Sequence, residues 1–453
     1  MPRRARFLLI LTFAACACAQ DLPVALTGTL VTPDAIVPNG TVVLRHGMIV
    51  AAGAHVTIPA GAKVVETGGI IAPGLIDLHN HLTWNVFPRW KPNTEFDTRY
   101  DWQAKPIYKV LMDAPHRALL DEGLECDAER YAEVKAITEG ETSVVGGSMK
   151  HPECNRGLAR NLDDDAGLGA QNPPRVIYNV FPLQMTEDEV ADAKKTLAAG
   201  GSLLIHVAEG APNSAAAARE FAQVKGRGLL APGVSFIHAV ALKPEDFAEM
   251  AAAHVGFIWS PRSNLELYGG TAQVAAAQAA GVTIALAPDW SPTGSDGLLG
   301  ELQYAAEWNA GQAKPPFDDR ALDAMATEQA ARLVHADKVL GRIEKGDAAD
   351  LLVLRDTGAA YGKDAWWTLD HARPEDVQLV MIGGQAVYGD AAPMQALTGG
   401  GALETLAICG AEKKISFASE PAQEPSFAET ERRLDAGLRA AGRRLAPLAE
   451  CGQ

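Results

Sequence analysis

Between residues 72 and 340 the sequence switches repeatedly between two textures. Short apolar runs, "GLIDLHNH", "ETSVVGG", "RVIYNVF", "GSLLIHVAE", "GVSFIHAV", "HVGFIWSP" and "GVTIALAPDW", read as strands. Between several of them lie alanine-rich stretches such as "MTEDEVADAKKTLAAG", "APNSAAAAREFAQVKGRG" and "KPEDFAEMAAAH", which read as helices. Strands that are apolar on both faces belong to parallel sheets covered by helices. Alternation sustained over this length predicts an α/β fold, a (β/α)8 TIM-like barrel rather than a sandwich. Seven strand runs are visible. "CNRGLARNLDDDA" occupies the place of the eighth without an apolar run, so the count of eight rests partly on analogy.

The flanks have another texture. Residues 20–71, with "VALTGTLVT", "GTVVLRHGMIVAAG" and "AKVVETGGIIAPG", mix β-branched residues with glycine and Asn-Gly turns. The same texture returns over 341–395. One small β-sandwich domain, split by the 72–340 barrel, is the simplest arrangement. Residues 396–453 form a C-terminal extension. In it Ser426-x-x-Glu429 is a capping box, followed by Leu434, Leu438, Leu445 and Leu448 on one helical face. That helix is expected to pack on the body, with a partner-binding helix as the alternative.

The chain opens with "MPRRARFLLILTFAACACAQ". Arg3, Arg4 and Arg6, the apolar run Phe7 to Ala19 and the Ala17-Cys18-Ala19 site predict a secretory signal peptide over 1–19. The product would be exported, periplasmic or extracellular. Phe13-Ala14-Ala15-Cys16 resembles a lipoprotein box without its leading leucine, which leaves a lipid anchor as the alternative. No other run is long and apolar enough to span a bilayer. The net charge is −16 with no basic run in the body, which argues against a nucleic-acid partner and leaves a small-molecule substrate. Removing the leader leaves Cys126, Cys154, Cys409 and Cys451. In an oxidising compartment the pairs Cys126–Cys154 and Cys409–Cys451 would close the shorter loops, with four reduced thiols as the alternative.

In a parallel barrel, side chains at the C-terminal ends of strands carry function. His79 and His81 end "GLIDLHNH", and residues two apart on a strand share a face, so both imidazoles converge on one point, as a divalent metal requires. His206 ends "LLIH", His238 ends "SFIH", and Asp289 follows "TIALAP". Five such residues on four strands are hard to explain as structure alone.

Taken in order, "GGIIAPGLIDLHNHL", "HVAE", "FIHAV", "WSPRSNLELYG" and "ALAPDWSP" resemble the amidohydrolase superfamily. The nearest branch is that of cytosine deaminase, guanine deaminase and the triazine chlorohydrolases. The resemblance runs from about Leu22 to Tyr388 and leaves the leader and the tail without support. It implies that His79, His81, His206 and Asp289 bind one divalent metal, zinc or alternatively iron, which acidifies a water toward neutral pH. It also implies that Asp289 accepts the nucleophile's proton, that Glu209 in "HVAE" is a proton shuttle, and that His238 contacts the water or the substrate oxygen. The reaction expected is hydrolysis of a C–N bond, by deamination or amide-type cleavage. Other branches hold two metals bridged by a carboxylated lysine. "RVIYNVF" has no lysine, and Lys150 is the only nearby candidate. A two-metal enzyme acting on peptides or cyclic amides, and a periplasmic binding protein with a degenerate barrel, are the alternatives.

Substrate clues are fewer. Trp84, Trp90, Trp102, Trp259 and Trp290, five of the eight tryptophans, lie in or beside the expected mouth loops, and point either to a flat or apolar substrate or to loop packing. Arg262 and Arg156 are candidates for a substrate carboxylate, with Trp84 and Trp290 as candidate contacts. Arg160 is expected to pair within "NLDDDA". Of the remaining histidines, His151 alone follows a strand end.

Overall fold

The structure is a computed structural model describing residues 22–147, 151–155, 157–163, 174–421 and 424–451. The expected leader, Lys150 and Arg156 lie outside the described residues.

The N-terminal texture folds as strands β1 (Val24–Val31), β2 (Ile36–Arg45), β3 (Met48–Gly53) and β4 (Lys63–Pro73). Eight parallel strands follow: β5 (Leu75–Ile76), β6 (Glu141–Val144), β7 (Arg160–Asn161), β8 (Val176–Asn179), β9 (Ser202–Val207), β10 (Val234–His238), β11 (Gly256–Trp259) and β12 (Ile284–Leu286). The last group is β13 (Leu351–Leu354), β14 (Val377–Ile382), β15 (Gln385–Gly389), β16 (Glu404–Ile408) and β17 (Ala411–Ile415).

The first and last groups join in one nine-stranded sheet, ordered β16-β17-β15-β14-β13-β4-β1-β2-β3. The flanks therefore do combine around the central segment. Hydrogen bonding nevertheless gives one sheet, not the two-sheet sandwich expected, and it runs past residue 395 to include β16 and β17. The parallel strands form a five-stranded sheet, β8 to β12, and a three-stranded sheet, β5 to β7. Strand pairing does not close them into a ring among the described residues. At one seam the segments beyond β5 and β12 meet, where the Asp289 amide donates to the His79 carbonyl at 3.1 Å. The missing eighth strand is β7, two residues long inside "CNRGLARN", too short to show a periodicity.

Why these strands bury both faces is visible in β9, whose six residues "SLLIHV" are all buried. Inward residues such as Ile76, Val145, Val176, Leu204, Ile237 and Ile258 make an inner core, while the alternating residues pack against the surrounding helices. The helices carry the start signals read from sequence. Thr186 accepts from the Glu189 amide while the Glu189 carboxylate accepts from the Thr186 amide, capping Glu187–Ala198.

Ser426 caps the Phe427–Ala440 helix, which buries Leu434 and Leu438 on the body. The helix stops before Leu445 and Leu448, so these are not on its face as expected. Gly442, at φ 73°, turns the chain out of the helix. The tail then runs extended over the body, with the Ala446 amide donating to Val86 O at 2.9 Å and Tyr131 Oη to Ala446 O at 2.5 Å. Arg130 on the buried Glu125–Thr138 helix clamps the segment before the tail helix through paired bonds to Glu420 at 2.7 and 2.8 Å.

Both expected disulfides are present, Cys126–Cys154 and Cys409–Cys451. No helix among the described residues is long and apolar enough to cross a membrane. The second disulfide ties the β16–β17 turn to the tail across 42 residues. Cys451→Ser is expected to remove about 2–4 kcal/mol of unfolding free energy. The check is denaturant unfolding of the oxidised protein; an unchanged midpoint would show that the tail holds without its staple.

Candidate metal centre

The residues that end β5, β9, β10 and β12 come together as a buried cluster. His79 Nε2 lies 3.1 Å from His206 Nε2 and 3.3 Å from Asp289 Oδ1, and His81 Nε2 lies 3.4 Å from the same oxygen. His79, His206, His238 and Asp289 are buried, and His81 keeps 21% of its side-chain surface exposed. Burial, reinforced by neighbouring histidines, holds His79 and His206 well below the ordinary imidazole range, so both rings are neutral. Burial alone would push Asp289 up, but the surrounding imidazoles keep its carboxyl below the usual range, as a carboxylate.

This donor set fits a divalent cation. Neutral imidazole nitrogens facing one another and a carboxylate oxygen at these distances bring lone pairs together, which a cation between them relieves. The ion-pair partners of Asp289 are His79 and His81, and it has no lysine or arginine partner among the described residues.

Backbone strain accompanies the site. His238, at φ 69°, and Asp289, at φ 65°, are in the left-handed region that non-glycine residues avoid. Gly146, which ends the β6 segment at φ 89°, lies against the backbone between the two β5 histidines; a Cβ there would sit 2.1 Å from Asn80 O. Only glycine permits that approach.

One short helix orients most of the cluster. Ser260 precedes the Pro261–Tyr268 helix and its Oγ is 2.8 Å from His79 Nδ1. Ser263 Oγ donates to Asp289 Oδ2 at 2.6 Å, Asn264 Oδ1 is 2.9 Å from His238 Nδ1, and Tyr268 Oη donates to Glu209 Oε1 at 2.6 Å. Positions 260, 263, 264 and 268 share one helical face. With Nδ1 engaged by Ser260, the Nε2 of His79 is the one turned to the cluster.

A second support lies inside the β5 motif. Asp77 accepts from the His79 amide at 2.9 Å and from Asn80 Nδ2 at 2.6 Å. Asn80 Oδ1 in turn accepts from the His81 amide and from Asn85. Asn85 Oδ1 accepts from the Ser291 amide, and buried Lys135 links Ser291 at 3.2 Å to Asp296 at 2.7 Å.

Glu209 sits beside the cluster, with Oε2 3.6 Å from His238 Nε2 and 3.5 Å from Arg99. Arg99 also pairs with Glu220, whose other oxygen accepts from the Ala208 amide. A glutamate held by one tyrosine and one arginine beside a histidine can carry a proton between two positions of a ligand.

The structure thus brings together His79, His81, His206, His238, Asp289 and Glu209. Trp84, Trp90, Trp102 and Trp290 form one aromatic cluster with Tyr108 over the mouth. Within it Trp102 is 5.6 Å from Trp290 and 5.0 Å from Tyr108, and Trp290 is 6.3 Å from His81. Trp84 stacks on His116 at 3.8 Å. Trp259 is not part of it. It points outward from β11 onto Trp308 and Phe317.

Arg262 is a correction. Its guanidinium turns away from the cluster to Glu450 at 2.9 Å and Glu266 at 3.6 Å, because it lies on the opposite face of the helix from Ser263 and Asn264. Arg160 pairs with Asp350, at 2.5 and 3.0 Å; the pairing expected within "NLDDDA" falls largely on residues 164–166, which lie outside the described residues. His151 is half-exposed beside Glu153 and Glu125. Sequence reasoning missed Ser260, Ser263, Asn264 and Tyr268, although all four lie in "WSPRSNLELYG". It also missed Asp77 and Asn80, inside the very motif that drew attention.

A model described as the amidohydrolase family matches residues 175–387. A 5-methylthioadenosine/S-adenosylhomocysteine deaminase of Teredinibacter turnerae is 31% identical over 334 residues, 64% of this chain and 73% of that protein. The enzyme of the same name from Moorella thermoacetica is 26% identical over 389 residues, 77% of this chain and 90% of the relative. Among solved structures, an adenosine deaminase from Xanthomonas campestris with bound zinc superposes with a TM-score of 0.69 at 16% identity, covering 93% of this chain and 99% of that one. On this likeness in sequence, and with the fold and polar cluster described, the chain belongs to the amidohydrolase family, as a hydrolase acting on carbon–nitrogen bonds.

Proposed function

We propose that this protein is an exported deaminase of amino-substituted heterocycles, adenine-like purine nucleosides foremost, working with one divalent ion, zinc. The observation that carries the reading is the juxtaposition of the convergent nitrogens and carboxylate of His79, His81, His206 and Asp289 with the Glu209–His238 pair. The relatives named above, deaminases of 5-methylthioadenosine and S-adenosylhomocysteine, support the purine assignment, as does the aromatic cluster at the mouth. Two disulfides support export. A single ion is supported by β8, which carries no lysine.

The ion, when bound, supplies a water acidic enough to act as nucleophile at neutral pH. Asp289 takes the nucleophile's proton on Oδ1, while Ser263 occupies Oδ2 and keeps the carboxylate from rotating. Glu209 passes the first of the water's two protons to the ring nitrogen beside the attacked carbon, and Asp289 passes on the second, which it has accepted, to the departing amine, which leaves as ammonia. His238, with Nδ1 fixed by Asn264, directs Nε2 toward the attacking oxygen. The tryptophan cluster excludes bulk water, which strengthens each of these charged contacts.

Ammonia release from a panel of amino-purines, amino-pyrimidines, amino-triazines, dipeptides and lactams tests the reading. Turnover of an amino-heterocycle is expected, and turnover confined to peptides or lactams would contradict it. Glu209→Gln is expected to lower kcat by about 10²–10⁴-fold while ligand binding, followed by tryptophan fluorescence, survives. Undiminished turnover would remove Glu209 from the proton-transfer role.

A further inference from the structure

Tyr178, on β8, has a buried hydroxyl with no hydrogen-bond partner among the described residues. Its ring lies among the imidazoles, with centroids 5.8 Å from His206, 6.0 Å from His81 and 6.4 Å from His79. The acceptors around it have other bonds to keep. Asp289 Oδ2 accepts from Ser263, Glu209 Oε1 from Tyr268, Asp77 from the His79 amide and Asn80, and Asp163 Oδ2 from the Gly146 amide.

A phenol O–H is a hydrogen-bond donor at neutral pH. A buried hydroxyl without an acceptor is costly, and phenylalanine would fill the same inner-core space without that cost. A group in this state at the edge of a reaction centre is satisfied by what the centre binds.

We propose that the Tyr178 hydroxyl donates a hydrogen bond to an acceptor atom of the bound heterocycle, on the side of the centre lined by His81 and His206. This inference rests on the deaminase reading. It adds a substrate contact on β8, the edge strand beside the histidine-bearing β9, and makes Tyr178 a determinant of which heterocycles bind. Ligands with a ring nitrogen or carbonyl oxygen facing β8 would be retained, and carbocyclic isosteres rejected.

The test compares the zinc-loaded wild type with Tyr178→Phe in three measurements. These are zinc content by mass spectrometry, affinity for purine riboside (a nucleoside with no amine to lose), and kcat and KM on the best amino-heterocycle from the panel. Expected are unchanged zinc content, an affinity for purine riboside weakened about tenfold, and a kcat/KM reduced by at least as much. A Phe variant that binds and turns over like the wild type would overturn the proposal, and would leave the deaminase reading standing. Loss of zinc from the variant would also overturn it, by showing that the hydroxyl serves the ligand shell. A wild type that neither binds purine riboside nor releases ammonia from any amino-heterocycle would overturn the deaminase reading and this inference with it.

Discussion

The site depends on satisfying buried polar groups that have no water to turn to. Four imidazoles and two carboxylates sit at the C-terminal ends of a parallel-strand core, where each buried donor or acceptor left unpaired would cost a sizeable part of the stability of a domain. The Pro261–Tyr268 helix meets most of that demand. Ser260, Ser263, Asn264 and Tyr268 each take one member of the cluster, and these members come from β5, β12, β10 and the segment after β9. A single rigid element therefore registers four strand ends against one another.

Around this centre the mouth loops are fixed by charges that face away from it. Arg262 leaves the same helix on its other side and pairs with Glu450 in the tail, and Glu450 also pairs with Arg89 from the loop after the β5 histidines. The Cys409–Cys451 disulfide anchors that tail to the nine-stranded sheet. The sheet, the tail and the loops over the mouth are thus mechanically connected. This gives the C-terminal extension a role in shaping the entrance, although the family resemblance does not reach it.

How far this was legible in the sequence follows from the length scale of each signal. Strand–helix alternation is a repeating, local signal, so "GSLLIHVAE" and "MTEDEVADAKKTLAAG" were placed correctly. The polar cluster was legible because five polar residues closing four apolar strands are hard to explain as structure alone. The orienting residues were not, since a serine or asparagine in the first turn of a helix reads as a cap. Arg262 was misassigned because successive helical residues rotate by about 100°, so the most reactive-looking side chain of "SPRSN" faces opposite its functional neighbours. Arg160 found Asp350 across 190 residues of sequence, a contact no local pattern encodes. Tyr178 read as one more apolar strand residue, and only its buried hydroxyl among the imidazoles distinguishes it.

The claim that most of the chemistry rests on is a single metal held by His79, His81, His206 and Asp289. Metal per chain, measured by mass spectrometry on purified wild type, Asp289→Ala and Lys150→Ala, tests it most directly. The account predicts about one divalent ion per chain, lost in Asp289→Ala and retained in Lys150→Ala. Two ions per chain, with one of them dependent on Lys150, would contradict it.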